Sequence, residues 1–269
     1  MKTTSTRRPA FTLVEMLVVI LIMSILVTLV TLGVTRAMRF ASEVGTKTEM
    51  AQIEQALGVA ALDLGRVPYI PSYLKLKPKP SDYTTDPWDA MSRRLLQTMF
   101  PKWDGSVNAG WGTRTLNASQ AFVFILGGAN GTDGFNGTNA DPFASGGKRK
   151  GPYFNFKADR LDASNYTFKD YWNNNTFLVV YSSQMVAGGT TPTDETPSGY
   201  PSRQTLKANN LYMPKGYQIY ASGKDGLWGA SGGAAGQYGQ VVFNGLLTNN
   251  GEDDQCNFSE SPLGKPIND

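Results

Sequence analysis

From Phe11 to Val34 the chain reads FTLVEMLVVILIMSILVTLVTLGV, twenty-four residues in which Glu15 is the only charge. At about 1.5 Å per residue a helix of that length crosses a bilayer. The run is too long for the apolar core of a cleaved secretory signal, and no small-x-small site follows it, so it predicts a membrane-anchoring helix. Beyond it, Met50, Ile53, Leu57, Ala60 and Leu64 recur at spacings of three, four, three and four. That stripe predicts an amphipathic helix over 35–65, stopped by Gly65 and Pro68.

The remaining 66–269 are less regular. PSYLKLKPKP (71–80) reads as an extended linker or surface loop, with a short helix around Ser92 to Met99. Lys75, Lys77 and Lys79 are candidates for phosphates or lipid headgroups, a solvated loop being the simpler reading. NASQAFVFIL (117–126) is apolar, and periodicity leaves it open between a helix and a buried strand. NGTDGFNGTNAD (130–141) reads as turns, since its spacing departs from the EF-hand pattern. TFLVVYS (176–182) and YQIYA (217–221) read as strands. The fold class that results is α+β: a long N-terminal α-helix, membrane-spanning in its first half and amphipathic in its second, packed on a small antiparallel β-sheet with long loops.

Charge and composition narrow the chemistry. Lys and Arg number 25 against 22 Asp and Glu, and three of the basic residues, Lys2, Arg7 and Arg8, lie in the first eight positions, so the body is neutral. A neutral body lacks the basic surface that a nucleic-acid binder needs, so no nucleic-acid partner is expected. With no histidine, Ser-His-Asp and Cys-His nucleophile pairs and imidazole-bound zinc are excluded. Cys256 is the only cysteine and forms no intramolecular disulfide.

Glu15 is the decisive residue of the apolar run. A carboxylate within a membrane helix costs on the order of 3 kcal/mol on insertion scales, so it marks a partner or a function unless it lies near enough to the interface to be hydrated. Apolar helices packed side by side need something to set axial register, and a carboxylate paired with a neighbour's amine does so. Arg36 and Arg39 follow the segment, so charge bias gives only weak support for a cytoplasmic N-terminus.

The stretch Arg7-Arg8-Pro9-Ala10-Phe11-Thr12-Leu13-Val14-Glu15 resembles the cleavage and methylation motif of type IV prepilins and type II secretion pseudopilins. The resemblance implies a leader over 1–10 ending in Ala10, where the family usually has Gly. It implies cleavage by a prepilin peptidase, a methylated Phe11 as the new N-terminus, a transmembrane helix over 11–34, and assembly through Phe11 and Glu15. Ile53 to Leu57, Leu62 to Gly65 and Pro68-Tyr69 further resemble the helix end of the major pseudopilin, and Asp170 to Asn174 partly resembles its turn before a strand. The resemblance covers about the first 70 residues continuously.

On that basis the chain is expected to be a non-enzymatic subunit of a type II secretion pseudopilus. Its expected place is the bacterial inner membrane, single-pass, with the body in the periplasm until assembly. The partners implied are copies of itself, other pseudopilins, the prepilin peptidase, the inner-membrane secretion platform and the lipid bilayer. Ser222-Gly223-Lys224-Asp225-Gly226 and Glu252-Asp253-Asp254 resemble the calcium-binding C-terminal loop of major pseudopilins, implying calcium held by Asp225, Asp253 and Asp254, with Ser222 and a carbonyl near Leu227 or Trp228. An Asp225 that simply initiates a turn is the competing reading. The alternatives are a type IV pilus subunit for adhesion, motility or DNA uptake; an anchored hydrolase using Asp253 and Asp254 or Asp86 and Asp89; and a binding module presenting Trp103, Trp111 and Trp228, although such acids and aromatics more often serve turns and packing.

Overall fold

The computed structural model describes residues 12–64, 70, 73–172, 177–181, 205–207, 210–211, 217–227 and 255–257. Its contacts divide the chain into two units, Met1–Val44 and Gly45–Asp269. The first unit is helical where it is described. It holds the start of α1 (Leu13–Asp63), and every described residue up to Ala41 is exposed. By length and composition α1 can cross a membrane.

The second unit begins within α1, and here the predicted stripe is buried. Met50, Ile53, Leu57, Ala60 and Leu64 are all in the hydrophobic core, joined by Ala56. Polar links at Lys47, Glu49, Glu54 and Asp63 tie this part of α1 to the body. Arg160 makes a two-pronged contact with Glu49, one arm at 2.9 Å, and both side chains are buried. Lys47 donates to the Cys256 carbonyl at 2.8 Å, and Asn257 donates to Glu54 at 3.2 Å. At the helix end the Tyr153 hydroxyl donates to Asp63 at 2.6 Å while Lys150 donates to the Asp63 carbonyl. The Arg160 guanidinium also lies over the rings of Phe168 and Tyr171. Tyr171 comes so close to α1 that a Cβ at Gly45 would sit 2.9 Å from its ring.

Within the stretch 71–80, expected as an extended linker or surface loop, Tyr73–Leu76 form strand β1, which pairs antiparallel with β2 (Arg114–Asn117) from Tyr73↔Asn117 to Leu76↔Arg114. Alternation explains it, because Leu74 and Leu76 are buried while Tyr73 and Lys75 point the other way. The free edge of β1 is finished by side chains. Ser92 accepts from the Lys75 amide, and the Tyr83 hydroxyl accepts from the Lys77 amide and donates to the Lys75 carbonyl. Trp111 and Trp103 donate to the carbonyls of Lys77 and Pro78. Both indoles are core residues, 5.2 Å apart at their centroids and ringed by Phe100, Phe124 and Tyr83, and present no binding platform. Trp228 lies outside the described residues.

Helix α2 (Pro87–Met99) starts five residues earlier than the sequence suggested, because Asp86 caps it by accepting from the Asp89 amide and Pro87 takes the first helical position. Asp86 and Asp89 are therefore a cap and an ion-pair centre within the framework. Asp89 is buried, accepts from Lys77 at 2.6 Å and from the amide and hydroxyl of Thr84, and lies 3.1 Å from Lys75. Lys75 also holds Asp86 at 2.7 Å, so Lys75 and Lys77 are committed inside the fold.

The segment left open is helix α3 (Ala118–Gly127), buried on nearly all sides. Asn117 and Gln120 cap each other's backbone amides at 3.0 Å, and Gly128 ends the helix at φ 74°. A Cβ on Gly128 would come 2.2 Å from the Gly134 backbone, so glycine is required there. The following turns carry two short pairs, β3 (Phe135–Asn136) with β4 (Arg149–Lys150) and β5 (Leu161–Asp162) with β6 (Thr167–Phe168). Arg149 gathers this loop by donating to the carbonyls of Asp133, Gly134 and Ala144.

The expected antiparallel sheet has three described strands in the order β11-β10-β7, with β7 (Leu178–Tyr181), β10 (Tyr217–Ala221) and β11 (Gln255–Cys256). A separate pair joins β8 (Thr205–Lys207) to β9 (Asn210–Leu211). Every residue of the central β10 is buried. Gly65 and Pro68, proposed as the helix stop, lie outside the described residues.

The Lys75–Asp86–Lys77–Asp89 cluster has a definite pH signature. Burial works to raise the Asp89 carboxyl, but the hydrogen bonds from Lys77, Thr84 and Lys75 outweigh it and hold it below the usual carboxylate range. The hydrogen bond to Asp86 raises Lys75. The Asp89 contribution is therefore complete above about pH 4, the ordinary carboxylate value, and is lost as pH falls through its lowered folded value. Asp89→Ala should cost about 3 kcal/mol, because it removes the one carboxylate that pairs with Lys77 among the described residues and leaves Lys75 with Asp86 alone. Thermal melting followed by circular dichroism should show that loss at pH 7 and a shallower decline below pH 4 than in the parent chain.

Candidate assembly site at the start of the first helix

Thr12 and Glu15 form a reciprocal cap at the start of α1. The Glu15 amide donates to Thr12 Oγ1 at 3.2 Å, while Glu15 Oε2 accepts from the Thr12 amide at 2.8 Å and from its hydroxyl at 2.9 Å. The physical reason is general: the first amides of a helix have no partner within it, and a Thr-x-x-Glu sequence supplies one for each end of the box. A carboxylate near the helix N-terminus also meets the positive end of the macrodipole. Only Oε2 is used in these bonds. Glu15 Oε1 has no hydrogen bond among the described residues.

The rest of the apolar run conceals its own polarity. Ser24 donates to the Leu21 carbonyl, Thr28 to Ser24, Thr31 to Val27 and Thr35 to Thr31, each at 2.7–2.8 Å. Hydroxyls returned to carbonyls of the preceding turn need no water, which suits a helix immersed in hydrocarbon. Sequence reading treated Glu15 alone and missed its Thr12 partner, although the spacing of three was the available signal. Ala10 and Phe11 lie outside the described residues.

The residues proposed to hold calcium are only partly described. Ser222 follows β10 directly and is buried, with no hydrogen-bond partner for its Oγ among the described residues. Gln255 Oε1, on the residue paired with Ala221, is likewise buried without a partner. Asp225 is exposed and accepts from the Leu227 amide at 2.8 Å, a turn of its own making. Asp253, Asp254 and Trp228 lie outside the described residues. Among the described residues no group of three or more acidic or cysteine side chains is placed to hold a metal.

Comparison with known proteins bears on the N-terminus. Residues 6–31 match the prokaryotic N-terminal methylation motif. No curated protein and no solved structure matches the chain. The chain thus carries a prepilin-type processing signal whose acidic residue is held by its own helix cap.

The cap makes a direct prediction. Thr12→Val removes the hydroxyl that accepts from the Glu15 amide and donates to its carboxylate, whereas Thr12→Ser keeps it. Hydrogen exchange of the Glu15 amide in detergent should quicken by about fivefold in Thr12→Val, the size expected for a lost N-cap, and stay near the parent rate in Thr12→Ser.

Proposed function

We propose that the chain is a structural subunit of a type II secretion pseudopilus, cut by a prepilin peptidase between Ala10 and Phe11 and assembled through α1. The observation that carries this reading is the methylation motif over residues 6–31 with Glu15 held at the start of the helix. The secretion branch, as against a surface type IV pilus, draws on the resemblance of residues 53–69 and of the C-terminal acidic segment to the major pseudopilin. Before assembly the body stands in the periplasm, anchored by the first half of α1.

Each step asks something particular of this chain. Cleavage exposes a cationic amine at Phe11, and a cation in hydrocarbon requires a partner. Glu15 meets two demands with two oxygens: Oε2 stays on Thr12 and satisfies the subunit's own helix, while Oε1 accepts from the Phe11 amine of a neighbour. The pair sets the axial register that apolar surfaces alone leave undefined. Arg7 and Arg8 remain on the cytoplasmic side with the leader.

Calcium belongs to the same reading. Ser222, Asp225, Asp253 and Asp254 would hold it, and the ion would fasten the end of β10 to the C-terminal segment through oxygen ligands. The oxygens of Ser222 and Gln255, buried and without a partner among the described residues, support a polar guest beside β10. Asp225 is exposed, and one of its carboxylate oxygens accepts from the Leu227 amide.

Three outcomes follow. Intact mass of the protein extracted from a host with its cognate peptidase should begin at Phe11 with one added methyl; retention of Met1 to Ala10 would sink the assignment. Glu15→Ala should still insert in the membrane, yet yield monomers on crosslinking and abolish secretion; loss of surface filaments with secretion intact would favour the pilus branch. Calcium should raise the melting temperature of the full chain in detergent by several degrees, and Asp253→Ala with Asp254→Ala should remove that rise. Equal melting in calcium and chelator for the unmutated chain would dismiss the ion.

A further inference from the structure

Ser119 is 1% exposed, and its Oγ has no hydrogen-bond partner among the described residues. A buried hydroxyl without a partner is costly, so its occurrence calls for a group that the described chain does not supply. Ser119 is the second residue of the ten-residue helix α3, and side chains leave a helix tilted toward its N-terminus. The hydroxyl therefore lies at that end.

The backbone there offers donors of its own. The first four amides of a helix, here those of Asn117 to Gln120, have no acceptor within it. The reciprocal cap takes the amides of Asn117 and Gln120, and no described side chain accepts from the other two, Ala118 and Ser119. Ala118 is only 4% exposed, and the positive end of the helix dipole adds to its amide. Arg114 donates to the Ser164 carbonyl and Gln120 to the next one, Asn165, so one turn brings a guanidinium to the same end of α3.

We propose that the N-terminus of α3 holds a small monatomic anion of the chloride class, received by the Ser119 hydroxyl and the amides of Ala118 and Ser119. Amides only donate, and a water placed among them brings two protons that need acceptors, whereas an anion brings none. Enclosure sets the size. With Ala121 and Phe122 fully buried beside the site, an ion that sheds its water readily is favoured, which selects chloride or bromide over the smaller, more strongly hydrated fluoride. Bound there, the ion completes the junction between β2 and α3.

The test uses the full chain in detergent, with chelator present throughout so that no divalent cation contributes. At constant ionic strength, exchanging gluconate for chloride or bromide should raise the melting temperature by about 3 °C, and fluoride should do much less. Ser119→Ala should abolish that rise, and Ser145→Ala, at an exposed serine, should keep it. In gluconate Ser119→Ala should melt no lower than the parent, because it deletes a hydroxyl with nothing to bond; in chloride it should melt lower, so the order of the two chains reverses with the anion. The chloride-35 resonance should broaden with the parent and stay narrow with Ser119→Ala. Equal melting of the parent in chloride and gluconate, or a rise that survives Ser119→Ala, would overturn the proposal. A Ser119→Ala chain that melts below the parent by the same margin in every salt would assign the hydroxyl to a water and overturn it too.

Discussion

A helix satisfies its own backbone hydrogen bonds wherever it runs, and the rest of this protein depends on that property of α1. In hydrocarbon an unpaired amide costs several kcal/mol, so a single element able to cross a bilayer, as α1 is by length and composition, is helical. What changes along α1 is how its side chains are treated. Toward its start, hydroxyls fold back onto carbonyls of the preceding turn and Glu15 closes on Thr12. From Gly45 onward, one stripe enters the core and the charges are taken up by Arg160, Asn257, Tyr153 and the Cys256 carbonyl.

The parts legible in the sequence are those governed by period. The stripe from Met50 to Leu64 was read correctly because burying one side of a helix requires that spacing, and YQIYA was read as a strand because aromatic and β-branched residues between turns fit a pleated surface. The Lys-Pro stretch was misread because composition was weighed over order. Tyr73-Leu74-Lys75-Leu76 alternates strictly, and its lysines are drawn in by Asp86 and Asp89, which lie ten or more residues further on. Helix α3 stayed undecided because an element buried on all sides has no polar stripe to betray its period. The capping pair Asn117 and Gln120 and the closing Gly128 held the missing information.

At the candidate site the residue types were legible and their partners were not. Glu15 stood out because charge in an apolar run is conspicuous, whereas Thr12 is ordinary in composition and became important only through its position three residues earlier. Asp86, Asp89, Trp103 and Trp111 invite functional readings, yet turn and packing roles were the simpler expectation, and each is consumed by the framework. The described sheets are short, so the body relies on side chains to finish strand edges and loop carbonyls, and such side chains resemble a site when read one at a time.

Arg149 draws out what such a framework means for a protein with a single cysteine. Its guanidinium collects carbonyls from Asp133, Gly134 and Ala144, a task that other loops leave to a dissolved ion or a disulfide. A cation attached to the backbone has no dissociation constant and cannot be diluted, chelated or reduced away. The turns between α3 and β4 are thereby held independently of dissolved ions and of redox state.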